Sequence, residues 1–347
     1  MGLRAKLVCV LLSVVAIAHG QIPNGYYNQA QGLSGTQLKT ALHNIITSGH
    51  SALQWTDTWT ALQSTDVKSN GKVWDVYSWV PSGPQPYEYT FGPGDQCGNY
   101  SAEGDCYNRE HVWPQSLFNS ALPMRSDLHS LFASDGWVNN ARADFPFGEV
   151  SNVSSTYQQG STLGSSTTYP SYSGMTFEPI DSLKGDFARA ILYFATRYEG
   201  QDAGWSDWPM ANGADLTNNA IAILRTWHTF DPVSTKEINR NNAVFTLQGN
   251  RNPFVDFPEF VECIWGTSTA CSGLSVRDVN ATALTLQYAN NKILLPNSYN
   301  GKTYTVFNTY GQVVTQAAYM ESINTSSLTP GVYLLRIENM FAKFSAK

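Results

Sequence analysis

Apolar positions recur at helical spacing early in the chain, with Leu38, Leu42, Ile45 and Ile46 inside Thr36 to Ser48 and Gly49 closing the run. That 3.6-residue period predicts an amphipathic helix. Val73 to Val80 changes character, placing Val, Trp and Tyr ahead of Pro81, and predicts a strand. Gly92 to Gly104 reads as loop and Arg109 to Val112 as a second short strand closed by Pro114. From Ser126 to Ala143, a Ser cap and apolar Leu128, Leu131, Phe132 and Val138 predict a helix with a break near Gly136. Ser, Thr, Gly and Tyr then follow no period between Val150 and Gly174, the composition of a surface loop. Further helices are expected at Asp181–Tyr198, Ala214–Phe230 and Val233–Leu247, the middle one with a core face of Leu216, Ala220, Ile223, Leu224 and Trp227.

After Cys271 the pattern shifts. Leu274 to Lys347 alternates short β-type runs with turns at Pro296-Asn297, Asn300-Gly301, Tyr310-Gly311 and Pro330-Gly331, which predicts a small all-β sandwich. At the other end, Arg4 and Lys6 precede an apolar stretch from Leu7 to Ala18 and small residues before Gln21, the layout of a secretory signal. That stretch falls short of the roughly 18 residues a membrane-spanning helix needs, so no stable membrane insertion is expected. A chain of 347 residues also exceeds one ordinary domain of about 100–200 residues. The expected plan is α+β: a signal peptide at 1–20, a mixed helical domain at 21–271 and a β-sandwich at 272–347, with a monomer as the default.

Of the five cysteines, Cys9 falls in the signal. Cys97, Cys106, Cys263 and Cys271 remain, and Cys97–Cys106 with Cys263–Cys271 is the economical pairing for an exported chain. A zinc site is disfavoured because no C-x-x-C pair occurs and no histidine neighbours these cysteines. The formal net charge is −6 and becomes more negative without Arg4 and Lys6. An acidic chain is a poor general binder of polyanions, but a turnover enzyme needs only a local basic cleft.

The chemistry concentrates in Asn108-Arg109-Glu110-His111-Val112-Trp113-Pro114. A neutral imidazole takes a proton from water, and a carboxylate beside it holds a hard cation, the two parts of metal-assisted hydrolysis. Downstream lie Arg125-Ser126-Asp127-Leu128-His129-Ser130-Leu131-Phe132, Gly136-Trp137-Val138-Asn139-Asn140-Ala141-Arg142 and Gln248-Gly249-Asn250-Arg251-Asn252-Pro253-Phe254. In order and spacing these runs resemble the bacterial endonuclease I family, over roughly residues 25 to 266. The tail, through Thr305 to Val314, Leu328 to Ile337 and Lys343, resembles the C-terminal sorting domain of type IX secretion substrates. A carbohydrate-binding or adhesive β-module is the other reading of that tail.

The resemblance implies a ββα-metal finger with the base on its second strand and a metal ligand on its helix. It implies a secreted or cell-surface, sugar-non-specific endonuclease that cuts DNA, and RNA as a second substrate, to 5′-phosphate ends. His111 is then the general base and Glu110 and Asn139 hold Mg²⁺, with Mn²⁺ and Ca²⁺ as alternatives and Asn140 as the rival to Asn139. Neighbours on a regular strand point to opposite faces, so Glu110 and His111 converge only if the strand ends there. Arg125 is assigned by position to the scissile phosphate. Arg109, Asp127, His129, Arg142 and Arg251 are candidates for phosphate contacts or for supporting the site. Ten Trp also suit a secreted glycan-binding or adhesive protein, and a phosphodiesterase of small esters is the rival enzyme.

Overall fold

The computed structural model describes residues 22–81, 83–266, 286–289, 291–308, 313–337 and 340–346. The chain divides into two units, Met1–Gly273 and Leu274–Lys347. The expected signal segment and Cys271, with the pairing Cys263–Cys271, lie outside the described residues.

In the first unit the apolar stripe of α1 (Gly35–Thr47) is buried as its period predicts, through Leu38, Leu42, Ile45 and Ile46. Helix α2 (Thr58–Thr65) follows, and α4 (Asp181–Arg197) is buried on every side from Leu183 to Arg197. A helix covered all round is the centre of its bundle; α1, α5 (Asn218–Phe230) and α7 (Pro253–Asp256) pack on it. Local signals set the ends. Thr217 caps α5, Ser234 and Glu237 form a capping box on α6 (Thr235–Gln248), and Asn252 caps α7 with Pro253 in its first turn. Gly249, at φ 79°, closes α6 in the left-handed conformation that favours glycine. Helix α8 (Phe260–Trp265) completes the unit.

The finger differs from expectation in which segments are its strands. Strand β1 (Tyr107–His111) pairs antiparallel with β2 (Leu131–Asp135), with Glu110 opposite Phe132 and His111 opposite Leu131, and α3 (Gly136–Arg142) leaves directly from β2. His111 therefore ends the first strand, and the predicted helix from Ser126 to Ala143 is strand over Leu131–Asp135 and helix only from Gly136. All five residues of β2 are buried, so no alternation of polar and apolar positions marks it as a strand. Val73 to Val80, expected as the first strand, instead caps the free edge of β2. Val76 N–H donates to the Ala133 carbonyl (3.0 Å), and the Asp75 carboxylate accepts the Asp135 N–H (2.8 Å) and its own Tyr77 N–H (2.8 Å). A side chain thus fills a ladder position where a strand would use backbone.

The stretch expected as loop between Val150 and Gly174 carries β3 (Asn152–Thr156) and β4 (Thr162–Ser165), which join β5 (Met175–Glu178) in a three-stranded sheet. Every residue of β3 is exposed, so no apolar period was there to read. Residues 214–216, expected in the α5 helix, fall instead at the short pair β6 (Ala211–Asn212) and β7 (Asp215–Leu216). Cys97 and Cys106 form a disulfide with Cα atoms 4.9 Å apart, and it sits against the start of α3. A Cβ on Gly136 would lie 2.2 Å from Cys97 Sγ and 3.3 Å from Cys106 Sγ. Among the described residues no helix is long and apolar enough to cross a membrane.

The second unit is all β. One sheet has the order β11-β10-β13-β14 and the other β12-β9-β8, from β8 (Gln287–Ala289), β9 (Lys292–Leu294), β10 (Thr303–Phe307), β11 (Val313–Ala318), β12 (Ile323–Asn324), β13 (Gly331–Ile337) and β14 (Met340–Ala346). Ile293 and Ile323 from the second sheet share a core with Val306, Leu335 and Ile337 from the first. The buried Tyr319 hydroxyl accepts from Leu295 N–H (2.7 Å) and donates toward the Leu295 and Glu321 carbonyls.

Two outcomes follow from this packing. Gly136→Ala overpacks the disulfide and lowers stability by about 2 kcal/mol; in thermal melts the loss shrinks when Cys97 and Cys106 are both alanine, and a loss independent of the disulfide contradicts the packing. His228 accepts from Arg189 Nη1 (3.4 Å) and donates to the Pro258 carbonyl (3.0 Å). Burial, then the charge of Arg189, lowers its imidazole to about 4. The unfolded chain binds more protons than the folded one between pH 6.5 and 4, so this stabilisation is complete above about 6.5 and is lost as pH falls toward 4. The Tm gap between wild type and His228→Gln therefore narrows by about 4–8 °C from pH 7.5 to 5, for about 2 kcal/mol; a constant gap contradicts it.

Candidate active site

Glu110 is a carboxylate wholly removed from solvent, at 0% exposure. Arg142 Nη1 lies 3.2 Å from its Oε1, yet neither carboxylate oxygen accepts a hydrogen bond of normal geometry among the described residues. The Tyr77 hydroxyl also approaches without reaching that geometry. Burial pushes the carboxyl up to about 7, against the pull of Arg142. A buried carboxylate in this condition is stabilised by a cation at its open side. Asn139, on α3, donates its amide N–H to the Arg109 carbonyl (3.1 Å), which leaves its Oδ1 as the second oxygen. Asn140 is exposed. A carboxylate and an amide oxygen are the donors a hard divalent cation takes when it keeps several waters, so the residues fit such an ion. Among the described residues no group of three or more His, Cys, Asp and Glu has metal-binding geometry.

His111 lines the same cleft, about 280 Å³ in volume, as Glu110, Asn139, Asn140 and Arg109. His111 is the last residue of β1, and both it and its neighbour Glu110 line the cleft. The ring lies 2.8 Å from the Arg125 carbonyl through Nε2, so Nε2 carries the hydrogen and Nδ1 is the acceptor. Burial, opposed by that bond and aided by Arg109, Arg125 and Arg142, lowers the imidazole to about 4. The ring is neutral at pH 7.

Trp55, which the sequence reading passed over, organises the rim. Its ring stacks on His111 (5.4 Å between centroids, 21° between planes), and the guanidinium carbons of Arg109 and Arg125 lie 3.5 and 4.2 Å from its centroid. Trp59 covers Arg109 at 4.0 Å. The signal available was the i, i+4 spacing of Trp55 and Trp59, which puts two rings on one side of a helical turn. Asp144, at the cleft rim and bonded by Ser116 Oγ (2.6 Å), was also missed.

The other predicted residues divide. Arg109 lines the cleft; Arg125 touches it through its carbonyl on His111 and is not among the lining side chains. Arg142 is buried, donating to the His111, Val112 and Ala143 carbonyls besides pairing with Glu110, so it braces a carboxylate and the strand end. Asp127 and His129 sit in a buried network away from the cleft. Asp127 accepts from Gln248 Nε2 (2.8 Å), Tyr193 (2.9 Å) and Tyr198 (2.9 Å), and His129 Nε2 meets the Asn250 carbonyl (3.1 Å). Arg251 is buried in a two-bond pair with Asp256 (2.6 and 2.7 Å). Asp127 and His129 join segments distant in sequence, Arg251 pairs locally, and none of the three lines the cleft.

Residues 34–259 match the family described as Endonuclease I, and residues 282–347 match the secretion system C-terminal sorting domain. An extracellular ribonuclease of Bacillus amyloliquefaciens is 37% identical over 249 residues, 69% of this chain and 78% of that protein. One of Bacillus subtilis (strain 168) is 34% identical over the same shares. An extracellular deoxyribonuclease of Aeromonas hydrophila is 26% identical over 169 residues, 48% of this chain and 62% of that protein. The adhesive reading of the chain is set aside. The family is one of metal-dependent nucleases, and the sorting tail and extracellular relatives make this protein an exported one, secreted or held at the cell surface. The chain therefore belongs to the endonuclease I family of phosphodiester-cleaving enzymes.

Proposed function

We propose that this nuclease hydrolyses internal phosphodiester bonds of DNA and RNA to 5′-phosphate products, with His111 as general base and one Mg²⁺ held by Glu110 and Asn139. The observation that carries the reading is a neutral imidazole of fixed tautomer opening on the same cleft as a buried carboxylate that accepts no hydrogen bond. When bound, the cation supplies charge neutralisation at the scissile phosphate and at the departing oxygen. Nδ1 of His111 takes the proton of an attacking water; the water oxygen bonds to phosphorus, the P–O3′ bond breaks, and the 3′-oxygen leaves as a hydroxyl after taking a proton from solvent. The Arg125 carbonyl and the Trp55 ring hold the imidazole in place. Relatives named as ribonucleases and as deoxyribonucleases support action on both DNA and RNA.

Purified mature protein with Mg²⁺ is expected to nick supercoiled plasmid and to degrade ribosomal RNA, both activities stopping with EDTA. His111→Ala lowers kcat by about 10³-fold or more, within the range for removing a general base together with its positioning. Cleavage that survives chelation, or survives this substitution, sinks the mechanism. Glu110→Gln keeps shape and removes charge, so Mn²⁺ affinity read by calorimetry falls by about tenfold or more. Unchanged affinity removes Glu110 from the ion.

A further inference from the structure

Most arginines of the first unit face a carboxylate: Arg142 pairs with Glu110, Arg189 with Glu237, Arg225 with Glu262, Arg240 with Asp66 and Arg251 with Asp256. Among the described residues of that unit Arg109, Arg125 and Arg197 have no such partner. Arg197 meets His50 Nδ1 (2.8 Å) and stacks on Tyr198. Arg109 and Arg125 share one indole, that of Trp55. Two like charges gathered on a single ring repel each other, and burial together with Arg125 lowers Arg109 to about 10. Stacking holds them there without a counter-charge, in a chain whose net charge is −6.

Arg109 is the member of the pair that lines the cleft. Its Nη1 donates to the Trp55 carbonyl (3.1 Å) and to Thr58 Oγ1 (2.8 Å), and indoles flank it at 3.5 and 4.0 Å. The plane of the guanidinium is fixed. Its Nε is buried, and its Nη2 donates to nothing among the described residues, so Nη2 is the nitrogen left for a ligand.

We infer that Arg109, clamped by Trp55 and Trp59, is the seat of the phosphate next to the scissile one, so that the enzyme reads two consecutive phosphodiesters of a DNA or RNA strand. The inference rests on scission at Glu110, His111 and Asn139, and it assigns the place of the neighbouring phosphate. A phosphate there supplies the anion that the Arg109–Trp55–Arg125 stack lacks. A guanidinium already ordered by two rings loses little freedom on binding, and its planar fork suits a phosphoryl group. Recognition through the backbone carries no base preference.

The test compares a dinucleoside monophosphate, which has one phosphodiester, with a single-stranded octanucleotide. For Arg109→Gln the ratio of kcat/KM, octanucleotide over dinucleotide, falls by about tenfold, mainly through KM. The slope of log kcat/KM against log salt for the octanucleotide becomes shallower by about 0.7, the value for one phosphate contact on a single strand. Arg109→Lys restores the slope and only part of the ratio. Thr58→Val, nearly isosteric, removes one of the two acceptors that hold Nη1 and lowers the ratio in the same direction, which keeps the test open if Arg109→Gln does not fold. Equal losses on both substrates, an unchanged salt slope, or an unchanged ratio in Thr58→Val overturn the inference. Failure of the catalytic reading shows separately, as dinucleotide cleavage that persists in His111→Ala.

Discussion

The guanidinium of Arg142 is the constraint on which the finger depends. It is buried, it lies against Glu110, and it closes the carbonyls of His111 and Val112 just where β1 stops. Three consecutive functions of the chain, a carboxylate, a base and a strand end, are thereby referred to one group on α3. A carboxylate taken wholly out of water would ordinarily lose its charge. Arg142 opposes that without satisfying the oxygens, which leaves Glu110 electrostatically incomplete on the side facing the cleft.

A second buried system holds the finger against the helices. Asp127 and Gln248 exchange hydrogen bonds with each other's neighbourhood: Gln248 Nε2 donates to Asp127, and its Oε1 accepts the Leu128 N–H. Asn250 adds bonds to the Ile46 carbonyl and the Tyr193 hydroxyl. With every member satisfied, such a network fixes one arrangement of its strands and helices. Asp127 and His129, polar residues that looked chemical in sequence, serve this alignment, and Arg251 is held in its own buried pair with Asp256.

The division between the two kinds of residue explains what was legible. Helices with one apolar stripe or a strong cap, α1, α5 and α6, were readable to within a few residues because burial on one face imposes a period. Strand β2 was not, since burial on both faces erases alternation, and β3 was not, since exposure on both faces does the same. The segment Val73 to Val80 misled for another reason. Its apolar content reflects packing beside β2, to which it is joined by one backbone bond and by the Asp75 carboxylate.

The order of motifs by itself pointed to the family, to a β-rich tail and to a carboxylate beside an imidazole, because these depend on residue types and their order along the chain. Tertiary structure decided which ring nitrogen of His111 is the acceptor, which arginines are spent on carboxylates and which are left on Trp55. It also decided that Asp127, His129 and Arg251 are framework. Most of those outcomes rest on partners far away in sequence, such as the Arg125 carbonyl on His111, Gln248 on Asp127 and Asp66 on Arg240, and on burial, which no local pattern encodes.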